Sequence, residues 1–160
     1  MWNDRLDFAD IAKEYFTAVF GESAEAAETW LQKMSDDFDP PYLRHEKEEI
    51  DADARVRYER LAREITEKLP ELKALAENCE AWKKIYCHAR LDALLAEGLC
   101  ARAAGDAEGA AQKAEEIREL AFSMYEETFG SLDTKFYVSI IKSVLTAEQT
   151  TFARVVQTKR

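Results

Sequence analysis

The stretch LKALAENCEAWKKIYCHARLDALLAEGLCARAAGDAEGA, residues 72 to 110, decides the fold. Its apolar residues recur at alternating spacings of three and four, and four leucines cover its other faces. A helix that is apolar on several sides is normally surrounded by other helices, so the pattern predicts one long central helix over 71–104, roughly 50 Å in length. The three-four positions are Leu72, Leu75, Cys79, Trp82, Tyr86, Ala89, Ala93, Ala96, Cys100 and Ala103, and the other leucines are Leu91, Leu94, Leu95 and Leu99.

The end of this stretch predicts a turn into a second helix. Gly105 suits the left-handed residue that closes a helix, and Asp106 suits the position that caps the next one. Apolar residues then continue at helical spacing through a helix predicted over 106–129. The two helices are therefore expected to form an antiparallel hairpin.

The remaining glycines and prolines divide the rest of the chain into further helices, predicted over roughly 4–20, 23–38, 50–69 and 133–145. Pro70 is expected to end the third helix and to begin the central one. No sustained alternation or hairpin dipeptide predicts a strand. The fold class is thus all-α: a bundle of about five to six helices around one long central helix, forming a single domain over 1–160.

The net charge and the hydropathy of the chain argue against two classes of partner, nucleic acids and membranes. The 160-residue chain has 32 acidic and 22 basic side chains, a formal net charge of −10, which repels nucleic acid and anionic membrane surfaces. No apolar run is long enough to cross a bilayer, and the acidic start lacks the features of a signal peptide. We expect a cytoplasmic protein with no nucleic-acid or membrane partner, and Cys79, Cys87 and Cys100 as buried thiols in one helix.

The sequence predicts no catalytic, metal or cofactor site. Cys87 and His88 are adjacent on a helix and point about 100° apart, which disfavours a shared metal ion. Neither His88 nor His45 follows a glutamate in the Glu-x-x-His pattern of di-iron bundles. There is also no glycine-rich phosphate loop and no nucleophile elbow. We therefore expect that this chain alone is not an enzyme.

The crossover over residues 39–49, which follows Phe38, is the one segment that breaks the helical pattern. Pro40 and Pro41 forbid a continuous helix there. One interpretation makes the crossover a surface that contacts a ligand or another domain. The other makes it a solvated connector that is pinned to the core by its aromatic and apolar side chains. The residues of the first interpretation are Asp39, Tyr42, Arg44 and His45, and those of the second are Phe38, Tyr42 and Leu43.

Two stretches carry a family resemblance. The first is YFTAVFGESAEAAETWLQKMSDDFDPPYL, residues 15 to 43. The second is LDALLAEGLCARAAGDAEGAAQKAEEIREL, residues 91 to 120, with SLDTKFYVSII, residues 131 to 141, after it. Both are similar to the helical region that follows the catalytic barrel in large bacterial glycoside hydrolases. These enzymes are related to β-galactosidases and β-hexosaminidases. The landmarks are an aromatic pair, a Phe-Gly helix end, the Asp-Pro-Pro-Tyr-Leu crossover and an Ala-Gly-Asp turn.

The resemblance implies a non-catalytic accessory domain. The catalytic carboxylates of such enzymes lie on the barrel, which needs about 200 residues or more and whose alternating strands are absent from this sequence. The implied partner is the catalytic barrel of the same parent polypeptide. The implied work is to pack on that barrel, to shape its cleft or to mediate oligomerisation.

Two other functions stay open at this point. One is a freestanding adaptor of tetratricopeptide type that holds a peptide in a groove, although such arrays repeat every 34 residues or so and only one hairpin of this kind is evident. The other is an enzyme with a carboxylate site that no motif marks. An accessory domain should expose an apolar face, an adaptor a groove, and an enzyme a polar pocket with perturbed carboxylates.

Overall fold

A computed structural model describes residues 7–147, and helices make up nearly all of this part of the chain. The described residues contain no strand, which confirms the all-α prediction. A short 3₁₀ turn over Gly21–Ser23 joins the first two helices. The α-helices are α1 Phe8–Phe20, α2 Ala24–Asp37, α3 Pro40–Leu43, α4 Ala54–Ala76, α5 Glu80–Ala103, α6 Ala107–Ser123, α7 Tyr125–Thr128 and α8 Thr134–Thr146.

Helix α5 occupies the centre, as its apolar pattern predicts. It packs against α1, α4, α6, α7 and α8, and side chains on several of its faces are buried, among them Trp82, Leu91 and Leu99. With 24 residues it is about 36 Å long. The predicted 50 Å is too long because the helix begins nine residues later than expected.

Helix α5 forms two antiparallel pairs, one with each neighbour in the chain. Near its C-terminal end, the Cys100 Sγ lies 3.6 Å from the carbonyl oxygen of Arg55, at the start of α4. On the other side, the Arg90 Nη1 lies 3.1 Å from the Met124 Sδ, just beyond the end of α6. The α5–α6 pair is the predicted hairpin. The α4–α5 pair is more extensive and was not predicted as a hairpin.

The α5–α6 turn has the predicted chemistry. Gly105 has a φ of 76°, a left-handed conformation that glycine adopts without steric cost. The Asp106 side chain caps α6 by accepting a hydrogen bond from the Gly109 amide at 2.8 Å. The sequence signals for this turn are therefore confirmed.

The prediction that Pro70 ends the third helix is wrong. Helix α4 continues through Pro70 to Ala76, and the chain breaks only at Cys79, whose backbone is extended. An internal proline costs about 3 kcal/mol. Ile65 and Leu72, on the same apolar stripe to either side of it, are fully buried, and each such side chain contributes about 1.5–3 kcal/mol. Leu72 and Leu75 thus belong to α4, and Cys79 lies at the N-cap position of α5, without a side-chain capping hydrogen bond.

Other boundaries differ by smaller amounts. Helix α4 begins at Ala54 rather than at residue 50, and the helix predicted over 106–129 is interrupted at Met124, between α6 and α7. The predictions for residues 4–6 and for the chain beyond residue 147 fall outside the described residues. Pro40 and Pro41 occupy the first positions of α3, a single helical turn within the crossover.

Candidate functional site

Two of the four predicted surface residues, Tyr42 and His45, tie the crossover to the bundle, and a third, Asp39, makes contacts within the crossover. The Asp39 carboxylate accepts hydrogen bonds from the Tyr42 amide at 3.2 Å and from the Lys47 Nζ at 3.0 Å. Tyr42 is buried, and its hydroxyl accepts a hydrogen bond from the Arg102 Nε at 2.7 Å. The His45 Nε2 lies 2.8 Å from the Ser143 Oγ on α8.

These contacts match the connector interpretation more closely than the surface interpretation. The buried Phe38 and Tyr42 fix the crossover to the bundle. Arg44 alone of the four candidate residues is exposed, and it pairs with Glu46 at 2.9 Å. An interaction surface at Asp39, Tyr42, Arg44 and His45 remains a prediction.

A groove of about 630 Å³ separates α2 from α4. We call it the α2–α4 groove. Trp30 and Trp82 lie at its base with Leu72 and Leu75, and the Trp82 indole N–H donates to the Ser23 Oγ at 2.7 Å. Two buried tryptophans at the base of an open groove provide the apolar, aromatic surface on which peptide anchors pack.

The rim of the α2–α4 groove is acidic. Lys33 pairs with Asp37 and, at 2.8 Å, with Glu64, and these hydrogen bonds raise the pKa of the lysine. Lys68 pairs with a glutamate one helical turn away. Glu22 and Glu25, also on the rim, make no ion pair among residues 7–147. The free charges on the rim are therefore negative.

Helix α1 exposes an apolar stripe instead of burying it. It has no buried residue, and Phe8, Ile11 and Tyr15 are 81%, 47% and 60% exposed. Leu31 of α2 is also exposed, at 44%. We call these four residues the α1 face. Phe20, at the other side of α1, packs edge-on against Trp82 with ring centroids 5.5 Å apart, which holds the helix on the bundle.

A second pocket, of about 320 Å³, lies between α1, α2 and α5. Two ionisable residues line it that the sequence analysis did not identify as a site. His88 and Asp92 line it from adjacent turns of α5. Burial lowers the pKa of His88 and raises that of Asp92 to about 7. The signal in the sequence was the four-residue spacing of a histidine and an aspartate within an otherwise apolar helix.

The cysteines follow the sequence prediction only in part. Cys87 is buried, whereas Cys79 and Cys100 are half-buried, and burial raises the pKa of Cys87 and Cys100.

Within residues 7–147, no three histidine, cysteine or acidic side chains lie close enough together to bind one metal ion. None of the helices in that range has the length and apolarity needed to cross a membrane.

The fold and these surfaces define an all-α helical bundle with an apolar groove, an exposed apolar helix face and a small pocket. Comparison with protein-family models, with curated proteins and with solved structures finds no match to this chain. The functional conclusion therefore depends on the surfaces themselves and on the resemblance described above.

Proposed function

We propose that this chain is a non-catalytic accessory domain that packs against the catalytic barrel of its parent polypeptide, a carbohydrate-degrading glycoside hydrolase. The observation that carries the proposal is the α1 face. The identity of the barrel comes from the resemblance of residues 15 to 43, 91 to 120 and 131 to 141 to helical regions that follow such barrels.

The α1 face has the properties of a surface that is covered in the intact protein. Phe8, Ile11 and Tyr15 follow one another at spacings of three and four, so they form one stripe along the helix. Burial of a large apolar side chain contributes about 1.5–3 kcal/mol. Covering this stripe would stabilise contact with another folded body, and in the isolated domain the same stripe favours self-association.

The direct test is the size of the native polypeptide that carries this domain. An antibody raised against the domain is used to probe extracts of the source organism under denaturing conditions. A band several times larger than the 18.3 kDa of this chain is expected. A band at 18.3 kDa in undegraded extract would contradict the accessory-domain proposal.

A second test concerns the α1 face itself. Tyr15→Ser should reduce concentration-dependent self-association of the isolated domain in sedimentation experiments, because it removes an exposed aromatic ring from the stripe. Val56→Ser is the matched control, since Val56 is 71% exposed on α4 and lies outside the α1 face. Equal effects of the two substitutions on self-association would contradict a role of the α1 face in contact with another folded body.

The second candidate function is an adaptor that holds a basic amphipathic helix in the α2–α4 groove. The observation that favours it is the combination of an aromatic base, at Trp30 and Trp82, with free acidic charge at Glu22 and Glu25. Apolar anchors of the peptide would pack on the base, and its lysines or arginines would face the rim. Homo-oligomerisation through the same groove is disfavoured because two acidic rims repel.

Tryptophan fluorescence tests this adaptor function, because both indoles line the groove. A synthetic basic amphipathic helix should change the emission in a saturable manner, and a scrambled peptide of the same composition should not. Leu75→Glu, which places a charge among the apolar groove residues, should abolish the change. Val56→Glu serves as the control at an exposed position of the same helix. Equal binding of the ordered and scrambled peptides would exclude the groove as a specific site.

A further inference from the structure

The pocket between α1, α2 and α5, which we call the Asp92 pocket, contains a carboxyl group without a partner. Asp92 is half-buried at the pocket wall, and it makes no hydrogen bond or ion pair with any of residues 7–147. The hydroxyl of Tyr137 on α8 is buried without a hydrogen bond in that range. Burial raises the pKa of Tyr137, and the charge of Asp92 raises it further. Isolated buried polar groups of this kind are unusual in proteins and are found at binding sites.

We propose that the Asp92 pocket binds a small organic cation, a primary ammonium on an aryl or alkyl body, with its charge at Asp92 and its apolar part against the aromatic wall. This inference goes beyond the proposed accessory function. The pocket shares Tyr15 and Leu31 with the α1 face, so a body that covers this face would also contact the pocket.

The walls of the pocket suit the apolar part of such a ligand. Tyr15, Phe20 and Trp30 contribute aromatic rings, and Leu31 and Met34 contribute aliphatic surface. A pocket of about 320 Å³ is at the small end of the range for ligand sites, so it has room for one aromatic ring with a short chain. Aromatic rings also attract an ammonium group directly through their negative faces.

The charges around the pocket favour a cation at Asp92. Lys84 also lines the pocket but lies two turns along α5, about 12 Å in axial rise from Asp92, and is not one of the groups that shift the pKa of Asp92. His88, one turn away, is kept neutral by burial, which lowers its pKa. Within residues 7–147, the other elements contribute no charged group to the lining: α1 supplies Tyr15, α2 supplies apolar residues, and the segment between α7 and α8 supplies Ser131.

Binding should depend on pH, because only the ionised carboxylate pairs with an ammonium. The pKa of Asp92 is about 7. When only the ionised fraction is competent, the apparent Kd increases in inverse proportion to that fraction. The Kd for an amine is therefore expected to be about tenfold weaker at pH 6 than at pH 8. The amine keeps its positive charge at both values, as a lysine does.

The experiment is a fluorescence titration of the whole chain with phenethylamine at pH 8, with Trp30 as the reporter inside the pocket. Two ligands of similar shape serve as controls: 2-phenylethanol, which has no charge, and phenylacetate, which has the opposite charge. We expect saturable binding of the amine, with a Kd on the order of 1 mM or tighter. The alcohol and the acid should bind at least about tenfold more weakly, since a tenfold change corresponds to one ordinary charge-assisted contact.

The matched variant is Asp92→Asn, which keeps the shape of the side chain and removes its charge. It should weaken phenethylamine binding at least about tenfold and abolish the pH dependence, while far-UV circular dichroism verifies the fold. Equal binding of amine and alcohol, stronger binding of phenylacetate, or unchanged binding by the variant would each overturn the proposal. The ligand comparison uses the unmodified chain, so it decides the matter even if the variant does not fold.

A third arm identifies the source of the ammonium group. The N-acetyl, N′-methylamide derivative of lysine presents the same cation on an aliphatic stem, as a lysine of a docked protein would. Tighter binding of the lysine derivative than of phenethylamine would assign the pocket to a lysine side chain of a partner, and the reverse order would assign it to a free amine. Absence of saturable binding by both would overturn the proposal.

Discussion

Replacement of Asp92 by asparagine should stabilise the protein, and more so as the pH rises. In the unfolded chain this carboxyl has an ordinary pKa of 3.8, whereas in the folded protein burial raises the pKa to about 7. Below about pH 4 both states hold the proton, so ionisation carries no penalty. Between about pH 4 and pH 7 the unfolded state releases the proton while the folded state keeps it, and the stability of the original protein therefore falls relative to the variant.

The size of the effect follows from the difference in pKa. Each unit corresponds to 1.36 kcal/mol, so a difference of about three units gives about 4 kcal/mol in favour of the variant above pH 7. Domains of this size are stable by only about 5–15 kcal/mol, so the change is readily measured. Asparagine retains the shape and the hydrogen-bonding capacity of the neutral carboxyl, and Asp92 has no partner among the described residues to lose.

The assay is urea denaturation of both proteins at about pH 5.5 and pH 8.5, away from the isoelectric point of about 4.8. Of the 4 kcal/mol, about 2 kcal/mol should develop between these two pH values, because the pKa of about 7 lies about 1.5 units above the lower one.

Asp10→Asn is the control for this comparison, since Asp10 is an exposed carboxylate on α1. Its effect should stay within about 0.5 kcal/mol at both pH values. A stability difference between the Asp92 variant and the original protein that does not change with pH would refute the argument that the surroundings of Asp92 raise its pKa. So would a variant that is less stable at pH 8.5.

Three further substitutions test the fold. Pro70→Ala should raise the free energy of unfolding by about 1–3 kcal/mol, because it restores a helical hydrogen bond within α4; a lower urea midpoint would contradict a continuous helix there. Tyr42→Phe should cost about 1–3 kcal/mol, because it leaves the Arg102 guanidinium without its acceptor at 2.7 Å, and an unchanged midpoint would mean that this contact does not hold the crossover. Gly98→Val should lower the melting temperature and reduce the free energy of unfolding by about 1–3 kcal/mol, since even a Cβ at Gly98 would lie 2.7 Å from the Leu145 Cδ1. An unchanged melting temperature would show that α5 and α8 pack less closely than this.

The central helix and the hairpin were predictable because their signals are local. The three-four spacing on α5 requires burial on several sides, and Gly105 with Asp106 specifies a turn through backbone sterics and a capping hydrogen bond. Each of these depends on residues within a few positions of one another. The all-α class follows from the same local periodicity.

The boundary at Pro70 was not predictable, because a local rule competes there with tertiary packing. Proline disfavours a helix interior, yet Leu72 is buried beyond it on the same stripe of α4. The break falls instead at Cys79, which no strong local signal marks. The proline rule depends on Pro70 alone, whereas the burial of Leu72 is a property of the folded protein that the local sequence does not report.

The sequence by itself determined the fold class, the central position of α5 and the turn at Gly105, since short-range sterics and hydrophobic periodicity are written in neighbouring residues. Only the tertiary structure decided that α1 exposes Tyr15, and that the polar pair His88 and Asp92 lines a pocket rather than a solvated face. The physical reason is that the pKa of a carboxyl depends on everything that surrounds it. At Asp92 those surroundings come from α1, α2 and the segment after α7, which are distant in the sequence and meet only in the folded chain.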